Sequence, residues 1–280
     1  MDNLLSGLES LGLGKMSNLD LYGDGKEEVK KEEAPKGPAP VNEEDLILDK
    51  SFKCPLCDHE FKTKMVKTGK AKLLSQDLDL RPRYSDIDSL KYGVIVCPIC
   101  GYASMAKTFP MLTSPQGKLI KENISVSFTG LGPEKPIYSY DDAIMRHKLA
   151  LVSTVVKRGK TSERAYVCLL LAWLTRGKRE TLPADAPNRE ATERQLKLEE
   201  LDFLAKARDG FMDAFSKESF PLCGLDECTS IYMISALLAE TGMHEEALRW
   251  TSRLITSQSA NDRIKERARS LKDMINDGTL

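Results

Sequence analysis

Apolar residues in the second half of the chain recur every three or four positions, which is the period of amphipathic helices. The first predicted helix begins at about residue 141 and ends at Gly159, and its regularly spaced residues are Ile144, His147, Leu151 and Val155. The second is apolar nearly all round, which predicts a central, buried helix. This second helix covers about 162–176, and further helices are predicted at about 188–216, 226–241, 244–257 and 261–275.

Residues 46–140 lack the helical period and predict short strands joined by loops. Residues 92–96 are rich in β-branched side chains and lead directly into Cys97, a pattern typical of a strand. Pro and Gly recur between residues 110 and 136, which favours loops and hairpins there. The change of pattern near residue 140 marks a predicted domain boundary.

Leucine is concentrated in residues 1–22, although Gly7, Gly12 and Gly14 weaken any free helix. Residues 23–45 are rich in Lys, Glu, Gly and Pro and hold few apolar side chains, the composition of a solvated linker. We therefore predict a flexible tail over residues 1–45. Its leucine-rich segment either docks on a partner or on the body of the protein, or it is a frayed end.

The overall composition favours helices over sheets as the main element. Apolar residues make up 41% of the 280 residues, enough for packed cores, whereas aromatic residues are only 6%, fewer than all-β folds usually use. Ser235, Gly242 and Ala247 fall at small-residue positions of a tetratricopeptide frame, although Leu254 and Ser259 depart from it. The predicted fold class is α+β, mostly α, with a small four-cysteine, zinc-ribbon-like domain at 46–140 followed by a tetratricopeptide-like helical hairpin domain at 141–280.

Cys54 and Cys57 have the C-x2-C spacing of metal ligands, and so do Cys97 and Cys100. Each pair forms a tight knuckle, and two knuckles complete the tetrahedral sulfur shell that zinc prefers. Gly101 follows the second pair and supplies a positive φ, while Asp58 takes the same place after the first and tolerates that conformation. We predict a structural Zn²⁺, with iron or an iron–sulfur cluster as the alternative. The predicted ligands are Cys54, Cys57, Cys97 and Cys100.

Together these features resemble the bacterial domain of unknown function 2225 family, over roughly residues 50–277. The family implies a zinc ribbon joined to tetratricopeptide-like helices and implies no reaction. Asp58 stands where the family has glycine, and residues 1–45 lie outside the resemblance. The matching features are the first cysteine pair, Tyr92 through Val96 leading into Cys97-Pro98-Ile99-Cys100-Gly101-Tyr102-Ala103, the helical Ala172-Trp173-Leu174-Thr175-Arg176, and Gly242 with Glu246-Ala247.

Basic side chains are concentrated around the first knuckle, although the chain as a whole has a net charge of −1. One interpretation is a face that binds phosphate or nucleic acid. The other is that lysines solvate a small domain and offset the negative charge of a zinc tetrathiolate. Aspartates at 77, 79, 86 and 88 lie nearby and are predicted to cap turns. The candidate contacts are Lys62, Lys64, Lys67, Lys70, Arg81 and Arg83.

Cys223 and Cys228 are a second candidate thiol pair, next to the predicted helix at 226–241. A helix N-terminus lowers the pKa of a nearby thiol, which would suit a redox role, whereas unpaired core thiols are the more common situation. No histidine is matched with a Ser or Cys nucleophile at an interpretable spacing, so no catalytic site is predicted. Four thiolates on one zinc also leave no open position for substrate.

These observations favour a cytoplasmic, non-catalytic adaptor or scaffold that binds a protein or peptide through its helices. The first alternative is nucleic-acid binding through the basic ribbon, and the less favoured one is thiol-based redox sensing. The longest apolar run, residues 167–174, is far shorter than the ~20 residues that cross a bilayer, so no membrane insertion is expected. The N-terminus also lacks the pattern of a signal peptide.

Overall fold

The computed structural model describes residues 41–280. The leucine-rich segment and most of the predicted linker lie outside the described residues, so their docking stays a prediction. Within residues 41–280, a part rich in short strands comes first and a series of long helices follows.

Three antiparallel hairpins make up the strand-rich part, each a separate two-stranded sheet. They are β1 (Ile47–Lys53) with β2 (Glu60–Val66), β3 (Leu73–Gln76) with β4 (Pro82–Tyr84), and β5 (Val94–Val96) with β6 (Ala103–Met105). In the first hairpin Lys53 pairs with Glu60, so the first cysteine pair lies in the turn. Val96 pairs with Ala103 in the third hairpin, so the second cysteine pair lies in its turn.

The six long helices confirm the sequence prediction, with ends that differ by a few residues. Capping side chains fix the start of three of these helices, because Ser139, Asp226 and Asn261 each accept a hydrogen bond from a backbone N–H of the first turn. The α+β, mostly α class is therefore confirmed. The helices are α1 (Glu43–Leu46), α2 (Ser114–Ile120), α3 (Tyr140–Val156), α4 (Thr161–Glu180), α5 (Arg189–Lys217), α6 (Glu227–Glu240), α7 (His244–Thr256) and α8 (Asp262–Asn276), with a 3₁₀ turn at Ser89–Tyr92.

Helix α2 and the π-helical turn after it, Lys121–Ser125, occupy a segment where Pro and Gly predicted only loops. Thr113 and Gln116 form a capping box at the start of α2. Pro115 lies in the first turn, where its missing N–H costs no hydrogen bond. The loop prediction is therefore wrong for these residues, because the capping box and the position of Pro115 outweigh the cost of Gly117 inside the helix.

Helix α4 is central, as its apolar sequence predicted, and it is buried almost continuously from Val167 to Gly177. It packs against α5 at close range. A Cβ atom at Gly210 of α5 would lie 2.8 Å from the Cβ of Ala165, so glycine permits this approach. Helix α6 packs against α5, α7 against α6, and α8 against α7, and Gly242 takes a φ of +79° in the turn between α6 and α7. The tetratricopeptide-like assignment stays a prediction.

Helix α3 connects the hairpins to the helices. Its buried face includes small or polar side chains such as Ala143, His147 and Ser153, and it packs on β5 and β6. The Ser153 hydroxyl accepts a hydrogen bond from the backbone N–H of Ala103 at 3.2 Å. The spaced apolar residues of α3 are consequently only partly buried, and Val155 is 53% exposed.

Candidate metal centre

The two cysteine knuckles have the same backbone hydrogen bonds. In the first, Cys54 N donates to His59 O at 2.9 Å and Asp58 N donates to Cys54 O at 3.0 Å. In the second, Cys97 N donates to Tyr102 O at 2.9 Å, and Gly101 N donates to Cys97 O at 3.1 Å. Each turn therefore presents its two sulfurs in the same way, and the pair of turns forms a pseudo-symmetric site.

The four predicted ligand sulfurs come together in one group, all within 4.8 Å of one another. The Cys54 and Cys100 sulfurs are 3.6 Å apart, as are the Cys57 and Cys97 sulfurs. Tetrahedral zinc with Zn–S bonds of about 2.3 Å requires sulfur–sulfur separations of about 3.8 Å, so the group fits such an ion. A disulfide needs about 2.05 Å, and all four cysteines are free. The site can therefore hold a metal ion.

Residues of positive φ complete both knuckles, as the sequence predicted. Asp58 has a φ of 59° and Gly101 a φ of 71°. Glycine is required twice over at position 101, because a Cβ atom there would also lie 2.6 Å from Cγ of the Phe128 ring. The ring covers the second knuckle, so this position combines a backbone constraint with a steric one.

The electrostatics of the four thiols favour a bound cation. Hydrogen bonds from Cys100 and Cys54 lower the pKa of Cys97 to about 2, so a thiolate forms there readily. At Cys54 the hydrogen bond with Cys100 lowers the pKa, but the hydrogen bond with Cys97 and burial outweigh it and raise the pKa to about 12. Four thiolates in this space thus need a metal ion to neutralise their charge.

An apolar cluster encloses the site on the protein side. Cys54 and Cys97 are 0% exposed, and Cys57 is partly exposed at the rim. Tyr102 and Phe109 stack with ring centroids 5.0 Å apart beneath the knuckles. Helix α2 closes another side, since a Cβ atom at Gly117 would lie only 3.0 Å from a methyl carbon of Leu56. His59 is exposed and is not one of the four grouped ligands.

The lysines predicted to contact phosphate lie on β2 and in the turn after it. Lys64 pairs with Asp49 at 2.7 Å, and Lys67 donates to the Asp45 carbonyl at 2.8 Å. Lys62 and Lys70 are exposed and form no ion pair within residues 41–280.

The two arginines predicted to contact phosphate occupy a different setting from the lysines. Arg81 is 3% exposed and donates to Glu180 at 3.2 Å. Arg83 donates to Asp77 at 2.6 Å and to Glu180 at 2.5 Å. Contact of phosphate with either arginine would require these ion pairs to break, so this geometry does not favour the arginine part of the predicted face.

A buried charge cluster around Arg176 was not foreseen from the sequence. The arginine lies on α4, and its carboxylate partners lie in the turn after β3, on α5 and on α6. We call this group the Arg176 cluster. The Arg176 guanidinium donates to Asp77 at 3.2 Å and to Asp79, Glu200 and Glu240 at 2.8 Å each.

Asp79 is the most buried carboxylate of the cluster, at 0% exposure, and it also accepts a hydrogen bond from Trp173 Nε1 at 2.8 Å. Burial and the charge of Asp79 raise the pKa of Glu240 to about 7. The prediction that the loop aspartates cap turns holds for Asp88, which accepts from Leu90 N at 3.1 Å, and for Asp79, which accepts from Arg81 N at 3.3 Å. Asp79 also ties its hairpin to the helices.

Cys223 and Cys228 have different neighbours. The Cys228 sulfur contacts the Ser259 hydroxyl at 3.5 Å. Cys223 lies beside Ser162; the residue is exposed as a whole, but burial of its thiol raises the pKa. A raised pKa disfavours the reactive thiolate, so this feature gives no support to redox sensing.

Comparison with known proteins yields one family match. The model of a family described as an uncharacterised protein conserved in bacteria, DUF2225, matches residues 47–275. Searches of curated proteins and of solved structures found no significant match. Within residues 41–280, none of the helices is both long and apolar enough to cross a membrane.

Proposed function

The chain belongs to the DUF2225 family, and we propose that it is a non-catalytic adaptor, stapled by zinc, that binds a protein or peptide through its helical part. The observation that carries this proposal is an open groove of about 580 Å³ between the turn after β3 and helices α6 and α8. This volume lies within the usual range of binding pockets, about 300–1,000 Å³. The groove is a ligand-sized surface that the fold leaves open.

The lining of the groove fits a peptide with apolar and polar side chains. Leu78 and Met274 supply apolar surface above the buried Tyr232, and Arg263 and Arg267 alternate with the acidic Glu266 along α8. Arg267 is held in place by a hydrogen bond to the Gln76 side chain at 2.8 Å. Apolar contacts would supply affinity, and the charged side chains of both signs would set the orientation of the partner.

The walls of the groove are fixed before any partner binds. Gln76, Asp77 and Leu78 form one wall, and Asp77 and Asp79 tie that segment to α4 through Arg176. A groove held in one shape costs less conformational entropy to fill. The Arg176 cluster therefore supports a binding role although it lies beneath the surface.

Zinc is the proposed ion because four cysteines at these separations give a closed tetrahedral site. Such a site stabilises the fold and leaves no position for a substrate. Elemental analysis of the purified chain should find one zinc per chain. Iron with visible charge-transfer absorption would instead support the alternative ion.

The adaptor proposal is tested by crosslinked affinity capture from the native cell, with and without nuclease. Ser270 is exposed on α8 and lines the groove, so Ser270→Trp should fill it. Lys272→Trp, at an exposed position two residues further on, is the matched control. A protein partner that survives nuclease, and is lost with Ser270→Trp alone, supports the proposal. Equal capture by both variants contradicts it.

Nucleic-acid binding through the ribbon is the second candidate, favoured by Lys62 and Lys70, which are exposed and form no ion pair with any of residues 41–280. It predicts that affinity for a labelled DNA or RNA duplex falls steeply with salt, because bound phosphates release counterions. Replacing Lys62, Lys64, Lys67 and Lys70 with Glu should abolish binding. An affinity that does not change with salt would dismiss this candidate.

A further inference from the structure

A second groove, of about 350 Å³, lies between the first cysteine knuckle and helix α2. This volume is within the usual range of binding pockets, about 300–1,000 Å³. The groove shares no lining residue with the one along α8, so it is a separate surface. We call it the knuckle groove. Its lining includes Pro55, Leu56, Leu112, Gly117, Lys118 and Lys121.

The floor of the knuckle groove is apolar and well packed. Leu56 and Leu112 are half-buried and pack against the core beneath the two knuckles. Gly117 lies close to both, since a Cβ atom there would lie 3.0 Å from a methyl carbon of Leu56 and 3.7 Å from one of Leu112. A side chain at this position would occupy the space between the two leucines, so glycine keeps the groove open.

Both walls of the groove are fixed before any ligand binds. Leu56 lies inside the first C-x2-C turn, where its backbone N–H donates to the Cys54 sulfur at 3.4 Å. Helix α2 begins with a capping box, in which the Gln116 side chain accepts from Thr113 N at 3.2 Å. A preformed groove costs less conformational entropy to fill.

The charged side chains that line the knuckle groove are all positive. Lys118 and Lys121 are three positions apart, at the end of α2 and the start of the π-helical turn, so they lie on the same side. No carboxylate among residues 41–280 lines the groove. Within that range Lys121 forms no ion pair, and Lys118 pairs only with Glu122, at 3.9 Å and with both side chains exposed. The rim of the groove therefore attracts an acidic ligand.

We propose that the knuckle groove binds an acidic peptide segment through one aliphatic side chain. The aliphatic side chain lies on Leu56 and Leu112, and the flanking carboxylates pair with Lys118 and Lys121. This ligand matches both surfaces, whereas a phosphate ester would leave the apolar floor uncovered and a purely apolar peptide would leave the lysines unpaired. The strand-rich part thus has a recognition site of its own, independent of binding in the groove along α8.

The test is a ¹⁵N NMR titration of the full-length protein with the peptide Asp-Asp-Leu-Asp-Asp at low ionic strength. We expect saturable shifts of the backbone amides of Leu56, Leu112 and Gly117. Burial of the leucine side chain should make this peptide bind about ten-fold more tightly than Asp-Asp-Ala-Asp-Asp. The peptide Lys-Lys-Leu-Lys-Lys should not bind, because its charge has the same sign as the rim.

Reversing the charge of one rim lysine separates attraction of the ligand from a structural role. Lys121→Glu should weaken binding of the leucine peptide at least three-fold, by roughly the worth of an exposed ion pair. Lys107→Glu is the matched control, at an exposed lysine outside the groove, and should leave the affinity unchanged. Both variants should keep the wild-type metal content. Loss of metal from Lys121→Glu alone would show that this lysine serves the metal centre and would overturn the inference.

The titration also distinguishes the other occupants. Equal affinity of the leucine and alanine peptides, or of the two lysine variants, would overturn the inference. Shifts at residues 263–274 alone would place the peptide in the groove along α8, which would overturn this inference without contradicting the adaptor proposal. Shifts at Leu56 and Gly117 with oligothymidylate, but not with the leucine peptide, would assign the knuckle groove to nucleic acid instead.

Discussion

Replacing Glu240 with Gln should make the protein less sensitive to pH between 5 and 8. Burial and the nearby Asp79 carboxylate raise the pKa of Glu240 to about 7 from an ordinary value of 4.5. The folded protein therefore holds this proton more tightly than the unfolded chain. The resulting stability is fully present below pH 4.5 and is lost as the pH rises through 7.

The magnitude follows from the size of this pKa difference. The rise of the Glu240 pKa from 4.5 to about 7 corresponds to about 3 kcal/mol at full effect. Between pH 5 and pH 8 the wild-type chain should lose roughly 2 to 3 kcal/mol through this group alone. The Gln side chain keeps an oxygen that accepts from Arg176 and cannot ionise, so Glu240→Gln should not show this loss.

The assay is urea unfolding of both proteins at pH 5 and pH 8, followed by circular dichroism. His147 complicates the wild-type curve, since burial lowers its pKa to about 4 and stability falls as the pH drops below 6.5. Both proteins keep His147, so the difference between their unfolding free energies isolates Glu240. An equal pH dependence in the two proteins would refute the reasoning.

The remaining predictions concern the metal centre. Chelation should remove one metal ion per chain and unfold the hairpins, because such sites supply on the order of 10–16 kcal/mol of folding energy. Calorimetry with and without chelator checks this, and an unchanged unfolding transition would contradict it. Cys57→Ser should lower metal retention at least ten-fold by elemental analysis, whereas Cys228→Ser, outside the site, should leave it unchanged. Gly101→Ala should destabilise the chain by about 1–3 kcal/mol more than Gly69→Ala. Both glycines have a positive φ, but only at Gly101 would the added Cβ atom meet the Phe128 ring. Equal losses of unfolding free energy, measured with urea, would show that the ring moves aside.

The sequence predicts the helices and the metal ligands well because each has a local signal. Periodic apolar residues and capping side chains such as Asp226 define the helices. The two C-x2-C pairs define the ligands at short range, and the fold needs only to bring the two turns together. Helix α2 also has a local signal, the capping box of Thr113 and Gln116, but the nearby Pro and Gly outweighed it.

The Arg176 cluster has no local signal of this kind. Asp79 and Arg176 are separated by 97 positions, and each has an ordinary sequence context. Asp79 and Asp88 both cap a turn, and the fold alone determines that Asp79 is also buried beside Trp173. The burial of Arg81 was unpredictable for the same reason, since only the packed structure places Glu180 next to it.

The metal centre and the Arg176 cluster act on the same stretch of chain. The cysteine pairs fix the two ends of the segment between Cys57 and Cys97, and Asp77 and Asp79 fix its middle to the helices. That middle also forms one wall of the groove through Gln76 and Leu78. Loss of metal should therefore free the wall at both ends and weaken the proposed binding in a groove that contains none of the candidate metal ligands. Loss of Arg176 should weaken the same proposed binding without changing metal content, so measuring metal content together with partner capture separates the two contributions.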